Sequence, residues 1–402
     1  MNGGFAPPPG AAGSPGSLGY DAGRMPSSDA PGRRGAPAVA NVRAVLMPGP
    51  GLPLEVRERP APRPEPGGAV LETVASEVCG TDVHLHHGRL AGVPYPIIPG
   101  HVSVGRVAET GGPLRDVEGR AIEPGRLVTF YDVFGVCGAC WHCLVARAGN
   151  RCPHRRVYGI TTSAEEGLLG GWAERIELRP GVKVLPLPDD LSVEEFMGGG
   201  CGAPTGFHAV ERAGVALGDT VVVQGSGPVG LSALAFAALA GALRVLVIGA
   251  PAARLEAARS LGADDTLDVA AASREERVEW VRARTEGRGA DVVIEATGRP
   301  DAVVEGLEMV RDAGRYVIVG QYTDTGDVTL NPHRHLNRRH ATVLGCWGYE
   351  YTHLHRAVLM MARHRRRFPW ASLVTREYRL EEASRALADM EGLRVVKALI
   401  RP

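Results

Sequence analysis

The spacing of apolar residues changes once along this chain, and the change divides it in two. From Val42 onward, short runs rich in β-branched and aromatic residues (VRAVLM, AVLETVASEV, VGRVAETG, GRLVTFYDV) are broken by Gly and Pro, which predicts a barrel-like β region. After Gly218 the runs become continuous and strand-length, and they alternate with helical segments. The run at 221–223 leads into the helix-like LSALAFAALA and then a second run at 245–248. DVVIEATG at 291–298 and RYVIVGQY at 315–322 repeat the unit. Apolar runs of this kind are buried on both faces, so they predict an α/β fold, a doubly wound parallel sheet covered by helices. Residues 1–39 are Gly, Pro, Ala and Ser with almost no large aliphatic side chain, and they predict a disordered extension that cannot offset its ordering entropy.

The chain has 402 residues, enough for two domains with a large core. Lys plus Arg equals Asp plus Glu at 45 each, so no global charge points to nucleic acid or an anionic membrane. No apolar run approaches the roughly 18 residues that span a bilayer. Seven cysteines, four of them within 16 residues and with no signal peptide before them, favour metal ligation in a reducing compartment over disulfides. The expectation is a cytoplasmic protein acting on small molecules, with no nucleic-acid or membrane partner.

The chemistry concentrates in CGTDVHLHHGRLAGVPYPIIPGHVSVG, residues 79–105, whose Gly-Thr and Pro-Gly turns argue against helical burial of the whole run. Zinc accepts thiolate sulfur and imidazole nitrogen, and a catalytic zinc takes three protein ligands and keeps one position open. Cys79 and His101 supply two; outside the second cluster, Cys201 and Cys346 are the cysteines left for the third. His86 and His87 are spare imidazoles, exposed or pocket-lining. The second cluster, Cys137, Cys140, Cys143 and Cys152, has the short spacing of a closed four-thiolate structural zinc, with an iron–sulfur cluster as the competitor. Downstream, GSGPVG at 225–230 lies between a strand and a helix. There Gly225, Gly227, Pro228 and Gly230 make the tight turn whose amides and helix dipole face a pyrophosphate. The second strand ends at Gly249, where an NAD site ordinarily carries a carboxylate, and Arg254 follows within about a turn. That combination favours NADP(H) over NAD(H), the alternative for Arg254 being a solvated helix charge.

The order CGTDxH, then GHxxxG, the cysteine lobe, CGxxTG at 201–206 and the glycine turn together resemble the zinc-dependent medium-chain alcohol dehydrogenase family, from about residue 40 to the C-terminus. The resemblance implies a GroES-like catalytic domain over 40–202 with a structural zinc lobe at 137–152. It further implies a Rossmann NAD(P)-binding domain over 203–347 and a segment, 348–402, returning to the catalytic domain. It implies Cys201 as the third ligand and hence two zinc ions per chain. Thr81 would take the alcohol proton, His84 would pass it on by way of the nicotinamide ribose, and Asp82 would orient His101. Thr205, Val229 and Val319 would pack against the cofactor, and Lys397 would lie near its phosphates. Cys346 would fall near the carboxamide, although its own chemistry reads as a buried structural cysteine. Two departures stand out: Val102 where a glutamate usually follows the ligand histidine, and one extra residue before Cys152. The implied activity is hydride transfer between an alcohol, or its aldehyde or ketone, and a nicotinamide, in a homodimer or homotetramer. The alternatives are a polyol or amino-alcohol dehydrogenase of the same family and a non-catalytic zinc-binding member.

Overall fold

Strands come first along the chain. The computed structural model describes residues 40–402, so the expected disordered extension at 1–39 lies outside the described residues. In chain order the strands are β1 Asn41–Leu46, β2 Glu55–Pro60, β3 Ala69–Val78, β4 Ser103–Thr110, β5 Leu127–Phe130, β6 Val133–Phe134, β7 Arg156–Val157, β8 Arg175–Leu178 and β9 Val184–Pro186. They continue with β10 Thr220–Gln224, β11 Arg244–Gly249, β12 Asp265–Asp268, β13 Ala290–Glu295, β14 Val310–Ile318, β15 Thr342–Gly345, β16 Val374–Tyr378 and β17 Lys397–Ile400.

The β-rich half is organised on β3, whose residues are almost all buried. It pairs antiparallel with β4, β8 and β17 in a sheet of order β16-β17-β3-β4-β5-β9. Leu71, Val107, Val128, Phe130, Ile176 and Leu178 fill one core against it. The last strands, β16 and β17, come from beyond the parallel sheet and join this one, with Ala398 opposite Val78 and Ile400 opposite Ser76. The C-terminal segment therefore lies beside the strand that leads into Cys79.

The second sheet has the order β12-β11-β10-β13-β14-β15 and is parallel throughout. Its order reverses between β10 and β13, which opens a crevice at the carboxyl ends of the strands. The glycine turn follows β10 at that point. Gly225 has φ +108°, and a Cβ there would lie 2.7 Å from the Ala296 carbonyl oxygen. Gly227 caps the helix Pro228–Leu239, with Pro228 in the first turn. A Cβ on Gly230 would collide with the Gly225 carbonyl, so this helix can start tight against its strand only with glycine there. Gly230→Ala is expected to destabilise the protein by about 2 kcal/mol and to weaken dinucleotide binding, as denaturant unfolding and cofactor titration would show.

One element links the halves. Helix Gly202–Ala213 packs on helix Pro228–Leu239, Phe207 meeting Phe236 edge-on at 5.3 Å, and Gly202 approaches the Pro228 carbonyl so closely that a Cβ would lie 2.6 Å from it. Cys201, the residue before this helix, is thereby fixed to the glycine turn. Among the described residues no helix is long and apolar enough to cross a membrane.

The run 79–105 is not helical as a whole, but its first part, Gly80–His86, is a short helix. Its local caps explain it. The Cys79 sulfur accepts the Thr81 N–H at 3.3 Å, and the Asp82 carboxylate accepts the Cys79 N–H at 2.9 Å, a reciprocal capping box that overrides the glycine.

Candidate active site

Cys79 follows β3 and His101 precedes β4, so the antiparallel pairing of these strands brings the two side chains together. The Glu77 N–H donates to the Val102 carbonyl at 3.0 Å and locks that alignment. Cys201 arrives from the other half. The ligand atoms of Cys79, His101 and Cys201 all lie within 4.8 Å of one another, and the Cys79 sulfur is 3.9 Å from His101 Nε2. Tetrahedral zinc with ordinary bond lengths would separate a sulfur and a nitrogen by about 3.6 Å. The donor set therefore fits such an ion. His101 Nδ1 and Asp82 Oδ1 are buried without hydrogen-bond partners among the described residues. Their charges interact, but the expected Asp82–His101 hydrogen bond is not made: Asp82 Oδ2 caps the helix and Oδ1 stays free.

The electrostatics follow from proximity. Contact with Cys201, and then the facing His101 ring, hold the Cys79 thiol well below its ordinary pKa, whereas contact with Cys79 and burial push Cys201 up. Burial would make His101 neutral, but the Cys79 sulfur and the Asp82 carboxylate outweigh it and raise the ring to about 10. A divalent cation would take the place of the His101 proton and draw both sulfurs into the thiolate form. Asp82 itself is raised by burial and by Cys79.

The trio forms part of the wall of a cavity of ≈ 320 Å³. Thr81, His84, Thr205, Gly227, Pro228, Val229 and Val319 also line it, so the glycine turn and the candidate relay share one space with the candidate ligands. Burial and the charge of Arg89 lower the His84 pKa, which leaves its ring neutral near pH 7 and able to accept a proton. Gly225 and Gly230 lie beneath the turn. At Gly249 a Cβ would lie 2.7 Å from the Ser226 Cβ. Packing against the glycine turn, as well as chemistry, therefore excludes an acidic side chain there.

Arg254 is not a solvated helix charge. It is 7 % exposed, its Nη2 donates to the Val395 carbonyl at 3.0 Å, and its Nη1 is 3.8 Å from where a Gly227 Cβ would be. Its buried Nε has no partner among the described residues. Lys397 requires correction. It does not face the glycine turn: it is wholly buried and ion-paired with Glu77 behind Cys201, because β17 lies next to β3. Burial would lower its pKa, but Glu77 and Cys201 raise it. His86 and His87 turn away, to the Leu52 carbonyl and to Glu391 respectively. Cys346 is buried beside Ile318 and is not part of the trio.

Several cavity residues escaped the sequence reading. Asp132 is buried, accepts the Tyr349 hydroxyl at 2.8 Å and is raised by burial. Tyr322 stacks on Trp347 at 5.4 Å and approaches His84 at 6.4 Å. Glu77 lies two residues before a candidate ligand inside a buried strand, and a charge in such a strand was the available signal.

The second cysteine cluster is equally well formed. Its sulfurs are 3.5 Å (Cys140 to Cys143), 3.9 Å (Cys140 to Cys152) and 3.6 Å (Cys137 to Cys152) apart. Four thiolates around one zinc would lie about 3.8 Å apart, and a disulfide would hold them at about 2.05 Å. One tetrahedral ion fits this spacing, whereas an iron–sulfur cluster would hold its thiolates further apart around several metal atoms.

Comparison with known proteins gives the following. Residues 65–189 match the model of the alcohol dehydrogenase GroES-like domain, and residues 228–363 match that of the zinc-binding dehydrogenases. The 5-exo-hydroxycamphor dehydrogenase of Pseudomonas putida is 35% identical over 349 residues, 86% of this chain and 95% of that one. An alcohol dehydrogenase structure from Thermotoga maritima superposes with a TM-score of 0.85 at 33% identity, covering 90% of this chain and 100% of the other. A zinc-binding dehydrogenase from Sinorhizobium meliloti, bound to NADP, gives 0.79 at 28% identity, with the same coverage.

Proposed function

Because the chain belongs to the zinc-dependent medium-chain alcohol dehydrogenase family and is an alcohol oxidoreductase, we propose that Cys79, His101 and Cys201 hold its catalytic zinc, that Cys137, Cys140, Cys143 and Cys152 hold a second, structural zinc, and that the nicotinamide is NADP(H). The single observation carrying the proposal is the trio's position in the wall of the cavity that the glycine turn also lines. A zinc held there would supply a Lewis acid for the alcohol or carbonyl oxygen, and a bound nicotinamide would supply the hydride chemistry.

The chain's own residues do the rest. Thr81 accepts the alcohol proton, and the neutral His84 ring passes it toward the cavity mouth. Thr205, Val229 and Val319, which line the cavity beside the trio, would hold the nicotinamide ring, and orientation of this kind is what hydride transfer needs. Leu90, Val93, Val133 and Ile160 line the same cavity and suit an alcohol with an apolar body, a reading that favours this over a polyol. Seven cysteines, none of them in a disulfide, suit a reducing, cytoplasmic setting. Strand β15, at the edge of its sheet with Val343 40% exposed, supports self-association into a homodimer or homotetramer, which light scattering would measure.

Thr81→Val is expected to lower kcat for alcohol oxidation by about 10²-fold while both zinc ions remain bound. Loss of a metal, or unchanged turnover, would remove Thr81 from the relay. The cofactor reading rests on Arg254, a buried cation beside the glycine turn with an unpartnered Nε, and on the side-chain-free Gly249. Arg254→Gln is expected to raise KM for NADP(H) by about tenfold, as one lost charge-assisted hydrogen bond of ~1.5 kcal/mol implies, and to leave KM for NAD(H) less affected. A wild-type preference for NAD of tenfold or more would overturn the NADP assignment.

A further inference from the structure

Behind the trio lies a charged pair that no step above uses. Glu77 and Lys397 each have 0% side-chain exposure, and their ion pair joins the adjacent strands β3 and β17. Taking two ions out of water is unfavourable even when they meet, so packing alone does not explain them. The carboxylate has a second set of contacts. Glu77 Oε2 accepts the Cys201 N–H at 2.7 Å, and Oε1 lies 3.3 Å from the Cys201 sulfur. Gly200 makes room for this arrangement. It has φ +48°, and a Cβ there would overlap the carboxylate and lie 2.7 Å from Lys397 Nζ. The loop carrying Cys201 is thus pressed directly onto the pair. Glu77 is also hydrogen-bonded across the strands to residue 102, where this chain has valine beside the histidine.

We propose that Glu77, anchored by Lys397, is the positioning residue of Cys201: its carboxylate fixes the main chain of the third metal ligand and with it the direction from which the sulfur is presented. The pair links three remote parts of the chain at one point, the end of β3, the start of helix Gly202–Ala213 and the start of β17. Lys397 holds the carboxylate in its rotamer, so that the Glu77 oxygen stays on the Cys201 N–H.

This inference rests on Cys201 being a ligand, and the test separates the two ideas. Metal content is measured on the full-length protein, followed by the release of each ion to a chelator. Cobalt is then substituted at the trio and its thiolate charge-transfer absorption recorded. In Glu77→Gln one ion, that of the four-cysteine lobe, should leave at the wild-type rate. The other should leave about 10- to 100-fold faster, the usual effect of removing a group that orients a metal ligand, and the cobalt band should shift. Should Glu77→Gln not fold, Glu77→Gln/Lys397→Met, which removes both buried charges, carries the same measurement. A pair with a merely structural role would lower the unfolding temperature without changing the relative release of the two ions. That result, or an unshifted cobalt band, would overturn the proposal. Wild-type protein that binds only one ion would instead overturn the ligand role of Cys201.

Discussion

Cys201→Ser is expected to leave the protein with one zinc equivalent in place of two and to lower kcat/KM for alcohol oxidation by at least ~10³-fold. The hydroxyl keeps the volume and some hydrogen bonding of the thiol, so helix Gly202–Ala213 should still pack on the glycine turn, where the Gly202 contact with Pro228 holds it. What is lost is the soft donor. Cys79 and His101 alone offer two ligand atoms from adjacent strands, fewer than the three that a catalytic zinc ordinarily takes from protein. Cys346 cannot replace the missing sulfur, since it is buried at the end of β14 and outside the cluster. The unfolding temperature should move little, because Cys201 is only half-buried and its neighbours stay packed. Elemental analysis and a turnover assay with both nicotinamides check this together. Retention of two zinc ions with near-normal turnover would show that the trio is not the catalytic centre.

Much of this architecture could be read from local pattern. The switch from broken β runs to continuous apolar strands located the parallel sheet. The strand, glycine turn and helix were contiguous in sequence, so their joint geometry was legible. Where sequence reasoning failed, the cause was tertiary contact. Glu77 and Lys397 are 320 residues apart, and nothing in either neighbourhood says that β3 and β17 are adjacent. Lys397 was therefore placed by its position in a resemblance, and its charge was read as facing phosphate instead of Glu77. The cap role of Asp82, whose Oδ2 accepts the Cys79 N–H of its own helix, is local, and sequence alone could not show that its other oxygen would stay free of His101. Gly249 was read as a missing carboxylate; the close approach of Ser226, which forbids any side chain there, was invisible until the turn was folded. The same holds for Arg254, whose burial depends on the Val395 loop 141 residues away.

Cys143→Ser should also remove one zinc but, unlike Cys201→Ser, should take with it the stability that the ion confers. The lobe at 137–152 has little apolar core of its own. Val136, Trp141, Leu144 and Val145 are 42%, 63%, 63% and 64% exposed, so its short helices are not held by burial. The sulfurs converge closely enough for one ion, and a structural zinc site contributes on the order of 10 kcal/mol to the fold that it closes. A hydroxyl in place of one thiolate leaves three soft donors and no closed tetrahedron. The lobe should then loosen as a unit, with an unfolding temperature lower by about 5 °C or more and protease cleavage between Cys137 and Cys152. The damage should also reach the active site. The Asn150 N–H donates to Glu350 at 2.9 Å, its side chain donates to the Trp347 carbonyl at 3.3 Å, and Arg151 lies over the Trp347 ring at 4.3 Å. Trp347 in turn stacks on Tyr322, the cavity residue beside His84. A mobile lobe would release this wall, so KM for the alcohol should rise even in molecules that keep the catalytic zinc. Full thermal stability with one zinc fewer would show that the four sulfurs are not what holds the lobe.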